Sequence, residues 1–278
     1  MTRITTYIAM INIMSRLTSK CVAHHIAVVG AGHFGRSLLT RYQRYEPQLR
    51  CMAVVRNTAV KLRMRDVVTM EFGTMFHANQ IILCVKPSQA EQVCKVISKS
   101  LRADTVVISA MAAITQRQLE TWLNTTNVVR IMPSILGSGP ISVYNPHDVR
   151  ITLPTTNIMV AETEPELDAA TAVSGCLPGF LAVIFRELIE AACSVPGSNE
   201  RMTKYLVLRN IRAFAEEDIW DEQGLENLRS SVATKGGATE RGIEKLEDKD
   251  ALKHLFRSMF LTADNRIAAL QGRNKHDE

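Results

Sequence analysis

Three glycines near the start of the chain have the spacing of a phosphate-binding loop. Gly30, Gly32 and Gly35 follow the apolar run Ile26–Val29 and open an amphipathic stretch, which gives the pattern G-x-G-x-x-G between a strand and a helix. The first glycine permits a tight turn, the second lets the backbone approach a pyrophosphate, and the third lets the helix pack on the strand. Free N–H groups at the start of the helix favour an anion. The predicted dinucleotide contacts are the loop residues Gly30, Ala31, Gly32, His33, Phe34 and Gly35.

The end of the second predicted strand indicates which dinucleotide binds. NAD sites usually place Asp or Glu about 20 residues beyond the glycine loop, where it binds the ribose hydroxyls. The run Met52–Thr58 contains no acid, and Arg56 could face a 2′-phosphate with Asn57 beside it as a donor. NADPH is therefore the predicted cofactor and NADH the alternative. The competing interpretation of Arg56 is a solvated strand end.

Small and hydroxyl-bearing residues form a second candidate group near the C-terminus. Thr234, Gly236, Gly237 and Thr239 follow a predicted helix, Glu222–Val232, and precede another. Glycine ends a helix, Thr239 is predicted to cap the next one, and unpaired N–H groups at such a corner can receive a carboxylate. The residues alone leave two interpretations open: a substrate-binding corner, or a helix-turn-helix that uses Gly and Thr for geometry only.

The elements that must position these residues fall into two classes. Up to about residue 163, apolar runs alternate with amphipathic stretches, which is typical of a parallel sheet with helices on both faces. The predicted strands are Ile26–Val29, Met52–Val55, Ile81–Val85, Val106–Ser109 and Val128–Met132, with Asn157–Ala161 as a candidate last strand, and the predicted helices between them are Arg36–Tyr45, Ser88–Lys99 and Gln116–Leu123.

Beyond residue 164 the patterns are helical throughout. The predicted helices are Glu164–Val173, Gly179–Ala192, Met202–Glu217, Glu222–Val232, Glu240–Glu247 and Ala251–Leu270. The fold class is therefore α/β, with a Rossmann-type doubly wound parallel sheet over residues 24–163 followed by an all-α C-terminal domain over residues 164–278.

Residues 1–23 contain Arg3, Arg16 and Lys20 and no acid. This composition is that of a mitochondrial transit peptide, and a short disordered extension is an equal alternative. The expected compartment is the cytoplasm, or the mitochondrion if the extension is a transit peptide.

The bulk composition argues against several classes of partner. The net charge of +5 is spread along the chain, so no nucleic-acid surface is expected. The six cysteines form no CxxC pair, so no metal site is expected. No apolar run is judged long enough to span a bilayer, so no membrane is expected either.

Four sequence blocks, taken in order, resemble the pyrroline-5-carboxylate reductase family. They are Ile82–Pro87, Val106–Ile114, Val129–Ser134 and Leu228–Glu247, and the last is the most specific, with its Gly-Gly-x-Thr core. The resemblance runs from about residue 24 to 270. It implies NADPH-dependent reduction of 1-pyrroline-5-carboxylate to L-proline, a hydride transfer to a cyclic imine and the last step of proline biosynthesis.

The resemblance also implies roles for individual residues. Thr239 is the expected catalytic residue, hydrogen-bonded to the protonated imine nitrogen, while the cofactor supplies the hydride. The implied cofactor-bordering residues are Val85, Lys86, Pro87, Ala110, Met132 and Pro133, and the implied substrate-binding residues are Ser231, Thr234, Gly236, Gly237, Ala238 and Thr239. A homodimer or a ring of dimers through the C-terminal helices is implied as well. Gly179–Ala192 is apolar nearly all round and is therefore predicted to be buried on every side.

The chain departs from the family pattern at several positions. Ser134-Ile135-Leu136 stands where Asn-Thr-Pro is usual, Cys176-Leu177-Pro178-Gly179-Phe180 replaces Ser-Gly-Pro-Ala-Tyr, and Ala113 and Thr234-Lys235 replace Gly and Ser-Pro. The alternatives are therefore a diverged, non-catalytic NADP(H)-binding homologue and a reductase of a related imine or keto acid. A 3-hydroxyacid or 6-phosphogluconate type dehydrogenase would need a lysine on the helix Gly179–Ala192, which has none.

Overall fold

The computed structural model describes residues 25–55, 68–70, 78–217, 219 and 221–272. The predicted N-terminal extension 1–23 lies outside these residues. So do Arg56 and Asn57, the two side chains on which the choice of cofactor was based.

Parallel strands form the sheet of the first compact unit, in the order β3-β2-β1-β4-β5-β6. Strand β1 lies inside the sheet, and the chain crosses from β3 at one edge to β4 on the other side of β1. This order is typical of a doubly wound dinucleotide-binding sheet, so the predicted fold class is confirmed. The strands are β1 (His25–Val29), β2 (Arg50–Val54), β3 (Val68–Met70), β4 (Gln80–Leu83), β5 (Val106–Ser109) and β6 (Val128–Pro133).

Helices connect these strands. α1 (His33–Tyr45) follows β1, α2 (Ala90–Ser98) follows β4, and α3 (Gln116–Leu123) follows β5. On α1, Leu38, Leu39 and Tyr42 are spaced at three and four residues and are fully buried, so each aliphatic side chain contributes roughly 2 kcal/mol to folding. The Tyr42 hydroxyl donates a hydrogen bond to the Thr152 carbonyl at 2.8 Å, which satisfies its buried polar atom.

The second compact unit is interleaved with the first in sequence. It comprises Met111–Gln116, Ile131–Tyr144 and the chain from Asn157 onward, whereas the first contains the chain up to Ala110, Arg117–Arg130 and Asn145–Thr156. The end of β6 therefore belongs to the second unit, with β7 (Ile141–Tyr144) and its parallel neighbour β8 (Ile158–Val160). The candidate last strand is confirmed, while a single domain boundary near residue 163 stays a prediction.

Helices make up the rest of the second unit. Each has at least one end within two residues of the predicted position. They are α4 (Glu164–Ala170), α5 (Leu177–Cys193), α6 (Glu200–Glu216), α7 (Glu222–Val232), α8 (Ala238–Leu246) and α9 (Ala251–Leu270). Side chains cap three of them: Thr163 accepts from Glu166 N–H, Asn199 from Met202 N–H, and Asp221 from Gly224 N–H. A π-helical turn over Thr171–Gly175, which separates α4 from α5, was not predicted.

Helix α5 is not buried on every side within the chain, so that prediction is wrong for a single subunit. None of its residues is buried, and Val183 and Leu188 are 51% and 47% exposed. The same holds for every described residue between Leu177 and Arg266. The helices of this region thus contact one another while leaving much of their apolar surface open.

One stretch of the described residues has the length and apolar composition needed to cross a membrane. It is Glu164–Cys193, whose mean hydropathy reaches 1.6 over an 18-residue window. The expectation from sequence that no apolar run is long enough to span a bilayer is wrong by this criterion. The sequence patterns divide this stretch at Pro178, whereas in the structure α4, the π turn and α5 join into one helical stretch.

Candidate active site

The three loop glycines lie in three different surroundings. Gly30 has φ +96°, and a Cβ atom there would lie 2.7 Å from the Cys84 carbonyl oxygen. A Cβ at Gly35 would overlap the carbonyl oxygen of Gly30, whereas a Cβ at Gly32 would meet no atom within 4 Å. These surroundings correspond to a tight turn, a close helix–strand contact and an open face where a ligand could approach the backbone.

Helix α1 begins directly at the loop and presents free donors. Gly32 is its N-cap, and the Arg36 N–H donates to the Gly32 carbonyl at 3.0 Å. No acceptor among the described residues meets the N–H groups of His33, Phe34 and Gly35, and no acidic side chain lies in the first turn. Unpaired donors at the positive end of a helix favour an anion such as a phosphate.

The strand register brings several predicted cofactor residues to one edge of the first unit's sheet. Val29 pairs with Leu83, Leu83 with Ser109, and Ser109 with Arg130. The segments that follow this row therefore leave the sheet at its carboxyl edge. They are Gly30 after β1, Cys84–Pro87 after β4 and Ala110 after β5. This is the edge at which doubly wound sheets bind ligands.

The segment after β4 differs residue by residue in its exposure. Val85 and Pro87 are partly buried, while Lys86 is exposed and precedes a short 3₁₀ turn, Pro87–Gln89. Burial raises the pKa of the neighbouring Cys84 thiol to about 12, so this thiol is neutral at physiological pH. The loop thus places one cation, Lys86, and no acid at this edge.

Two further predicted cofactor residues lie in the second unit. Met132 and Pro133 end β6, and both are buried. The π turn contacts the first of them, because a Cβ at Gly175 would lie 3.3 Å from the Met132 sulfur. A π turn is uncommon and is often found at functional sites, but no sequence pattern predicted this one.

The departure at Ser134 has a local structural explanation. Ser134 N–H donates to the Pro140 carbonyl at 3.0 Å, and its hydroxyl oxygen accepts from the Leu136 N–H at 3.3 Å. A Cβ at Gly139 would lie 2.5 Å from the Ser134 Cβ, so the loop closes tightly on the serine. Ile135 and Leu136, in the same loop, are exposed.

The helical corner, residues 234–239 at the junction of α7 and α8, differs from the prediction in one respect. Thr239 is the second residue of α8, and the N-cap is Gly237, so the prediction that Thr239 caps this helix is wrong. Gly237 takes the extended backbone conformation of an N-cap, and Thr234 lies too close for a side chain there, since a Cβ would be 2.5 Å from Thr234 Oγ1. Gly236 has φ +73°, and α7 already ends at Val232.

The corner nevertheless presents the donors that were predicted. The Gly237 N–H donates to the Thr234 carbonyl at 2.8 Å, and the Gly236 N–H donates to Glu240 Oε2 at 2.6 Å. Within the part of the chain that the structure describes, the N–H groups of Ala238 and Thr239 have no acceptor, and the Thr239 side chain is exposed. A carboxylate could bind these donors beside the Thr239 hydroxyl.

Ser231 is the predicted substrate residue that the corner does not include directly. It lies in the last turn of α7, and its hydroxyl donates to the Leu228 carbonyl at 2.7 Å. Sequence reasoning also missed Glu240, whose carboxylate closes the turn. Its signal was the spacing Gly237-x-x-Glu240, which is that of an N-cap followed three residues later by an acid.

The other departures from the family pattern are accommodated in the second unit. Ala113 keeps a left-handed conformation, φ +63°, and packs in a buried cluster with Ala172 and Ile267. Phe180, which lacks a hydroxyl, packs edge-to-face on Phe260 at 5.7 Å. Burial raises the pKa of the Cys176 thiol, so this side chain is protonated where a serine is usual.

No three His, Cys, Asp or Glu side chains among the described residues lie close enough together to hold a metal ion. A groove of about 670 Å³ lies between α5 and α6 and shares no residue with the glycine loop or the helical corner.

Comparison with known families separates the chain into two matched stretches. Residues 164–270 match the family described as pyrroline-5-carboxylate reductase dimerisation. Residues 25–113 match the family described as NADP oxidoreductase, coenzyme F420-dependent. The glycine loop lies in the second of these stretches and the helical corner in the first.

Individual relatives match most of the length of the chain. The pyrroline-5-carboxylate reductase of Pseudomonas aeruginosa is 26% identical over 241 residues, which cover 80% of this chain and 88% of that protein. The enzyme of the same name from Corynebacterium melassecola is 28% identical over 262 residues, 86% of this chain and 96% of that protein.

Solved structures share the fold. The Plasmodium falciparum pyrroline carboxylate reductase with NADP bound gives a TM-score of 0.78 at 22% identity, over 89% of this chain and 98% of that one. A pyrroline-5-carboxylate reductase from Coxiella burnetii gives 0.73 at 24% identity, over 90% and 99%.

Proposed function

The chain belongs to the pyrroline-5-carboxylate reductase family, and from this premise we propose that it reduces 1-pyrroline-5-carboxylate to L-proline with NADPH. The observation that carries the proposal is the corner Gly236–Thr239, which lies within the matched stretch and combines free N–H donors with a hydroxyl. A cyclic imino acid offers a carboxylate to such donors and a nitrogen to such a hydroxyl.

A nicotinamide cofactor fits the loop Gly30–Gly35, because Gly32 leaves its backbone open and the helix start supplies unpaired N–H groups. NADPH is the proposed form, since no acid follows the second strand and Arg56 stands where it could bind a 2′-phosphate. The Plasmodium falciparum relative was solved with NADP bound.

The mechanism requires little from the protein beyond binding and orientation. When bound, the cofactor would supply a hydride to the carbon of the C=N bond, and the nitrogen would keep the proton that it carries in the protonated imine. Ala238 and Thr239 N–H groups bind the substrate carboxylate, and the Thr239 hydroxyl accepts a hydrogen bond from the protonated imine nitrogen. Holding the reacting atoms in line can supply a large part of the rate enhancement, which fits a site without a strong general base.

The subunit is proposed to assemble as a homodimer or a ring of dimers through its C-terminal helices. The match to a dimerisation family covers residues 164–270, and this region has apolar side chains that the single chain leaves exposed. A second copy that covers α5 would remove this surface from water. It would also account for the apolar stretch Glu164–Cys193 without a bilayer.

One assay tests the proposed function directly. Oxidation of NADPH is followed by absorbance with saturating pyrroline-5-carboxylate, and proline is identified as the product. Turnover with proline formation is the expected result. Cofactor binding, measured by NADPH fluorescence, without turnover of this substrate would contradict the proposal and favour a non-catalytic homologue or a different imine or keto acid.

A further inference from the structure

A single side chain closes the turn that precedes α8. Glu240 Oε2 accepts a hydrogen bond from the Gly236 N–H at 2.6 Å. Gly236 is in the left-handed region with φ +73°, and the turn's other hydrogen bond runs from the Gly237 N–H to the Thr234 carbonyl at 2.8 Å. A carboxylate that binds the N–H of a glycine restricts a backbone which would otherwise have wide conformational freedom.

This hydrogen bond leaves only some backbone N–H groups of the corner available to a ligand. Gly236 and Gly237 both donate within the turn, so their N–H groups are not available to an external anion. Those of Ala238 and Thr239 have no acceptor among the described residues. The closed turn therefore leaves two adjacent donors at the start of α8, where the helix dipole favours negative charge.

The Glu240 carboxylate binds the turn and forms no ion pair with any residue that the structure describes. The neighbouring cation on the same helix, Arg241, pairs with Glu244 at 3.1 Å. Arg229, at the end of α7, pairs with Glu226 at 3.0 Å and Glu247 at 3.3 Å. Glu240 thus differs from Glu244, the other acid of α8, whose partner is an arginine.

We propose that Glu240 is a positioning residue for the substrate carboxylate. It holds the turn Thr234–Gly237 in the conformation that directs the Ala238 and Thr239 N–H groups outward, and it does not itself touch the substrate. This role rests on the proposed function. Thr239 is held in the first turn of α8, after the Gly237 N-cap, so loss of the Glu240 hydrogen bond should weaken substrate binding more than it slows the chemical step.

The test is steady-state kinetics of Glu240→Ala and Glu240→Gln, with Glu244→Ala as the matched control on the same helix. Glu240→Ala should raise the KM for pyrroline-5-carboxylate about tenfold, with kcat and the NADPH dissociation constant within about threefold of wild type. Glu240→Gln keeps an acceptor oxygen and should restore the KM to within about threefold. Glu244→Ala, which loses only an exposed ion pair, should leave all three constants within about twofold.

The outcomes separate this role from the function on which it rests. If the wild-type protein does not reduce the substrate, the proposed function and the positioning role are both overturned. If wild type is active, an unchanged KM in Glu240→Ala, or a Gln variant that behaves like the Ala variant, overturns the positioning role alone. Should Glu240→Ala not fold, the Gln variant decides, since a raised KM there contradicts the role and a wild-type KM supports it.

Discussion

Residues of one type in the glycine loop have different neighbours, so the same substitution should have different effects along the loop. Gly32 has open space where its side chain would be, whereas Gly35 lies against the carbonyl oxygen of Gly30. Substitution at Gly32 therefore tests ligand binding, and substitution at Gly35 tests packing.

Gly32→Val should keep the fold and lose the cofactor. Its backbone conformation, φ −69°, is open to any residue and no protein atom blocks the side chain, so the melting temperature should stay within about 3 °C of wild type. The valine fills the space a pyrophosphate needs, and NADPH affinity should fall by about 100-fold or more in a fluorescence titration.

Gly35→Val is the contrasting variant and should lower the melting temperature itself. Retained NADPH affinity in folded Gly32→Val would place the dinucleotide elsewhere.

Thr239→Ala should lower kcat on the order of 100-fold, because it removes the hydroxyl proposed to bind the imine nitrogen. The cofactor dissociation constant should change by less than about twofold. Thr239→Ser, which returns a hydroxyl at the same position, is the control and should recover most of the activity. Unchanged turnover in Thr239→Ala would remove this residue from the mechanism.

At the scale of elements, the sequence predicts the strands and helices that have a local residue pattern. It misses elements that depend on contacts with residues distant in sequence. Runs such as Ile26–Val29 and Val106–Ser109 are predicted because they are continuously apolar. Strand β7, Ile141–Tyr144, was not predicted, since four residues after a loop containing Gly and Pro carry too little pattern and the strand exists through its neighbours. The π turn has no local sequence signal, and Gly175 at its end lies beside Met132, a residue distant in sequence.

The candidate site was predictable to a similar degree. The glycine loop follows from spacing alone, whereas the helical corner was recognised by family resemblance and its cap was assigned to the wrong residue. Composition cannot distinguish Thr239 from Gly237 as the N-cap, because the choice depends on where the preceding turn places the backbone. For the same reason Glu240 was overlooked, although its spacing from Gly237 was readable.

The N-cap of α6 offers a test of a single element. Asn199 Oδ1 accepts from the Met202 N–H at 3.0 Å, so Asn199→Ala should lower the free energy of unfolding by about 1 kcal/mol. Asn199→Asp retains the acceptor and should be within about 0.5 kcal/mol of wild type. Both are measured by urea denaturation at one fixed protein concentration. Equal stability of Asn199→Ala and wild type would mean that the cap does not stabilise this helix.

At the scale of the whole molecule, alkaline pH should destabilise the fold. Burial raises the pKa of Cys51 to about 11 and those of Cys84 and Cys94 to about 12, from an ordinary value of 9.0. Below pH 9 these thiols are neutral in both states and their contribution to stability is fully present. From pH 9 up to about 11 for Cys51 and about 12 for Cys84 and Cys94, the unfolded chain releases these protons and the folded chain keeps them. The free energy of unfolding therefore falls by up to about 1.4 kcal/mol per pH unit for each thiol.

This pH dependence is measured by urea denaturation between pH 8 and pH 10.5. Cys94→Ala is the matched variant: it removes one buried thiol, so its stability should fall less steeply with pH than that of wild type, whatever its stability at pH 8. Parallel pH curves for the two proteins would show that the Cys94 thiol does not titrate differently on unfolding.

Assembly through the C-terminal helices is tested by mass. Wild type should be a dimer or larger by light scattering after gel filtration. A double substitution of Val183 and Leu188 to Asp should shift it towards the monomer, since both exposed side chains lie on α5. Val96→Asp, which changes a 45% exposed valine on α2, is the control and should leave the mass unchanged. A monomeric wild type, or a double variant of unaltered mass, would contradict the proposed interface.

The lack of any buried described residue between Leu177 and Arg266 has a consequence for how the enzyme is maintained in a cell. If the C-terminal helices assemble as proposed, a newly made copy would hold this region together only weakly until it met another copy, and in that interval it would be open to proteases and to aggregation. Pairing depends on the square of the subunit concentration. Scarce copies would be degraded in larger proportion, and catalytic capacity would therefore rise more steeply than gene dosage.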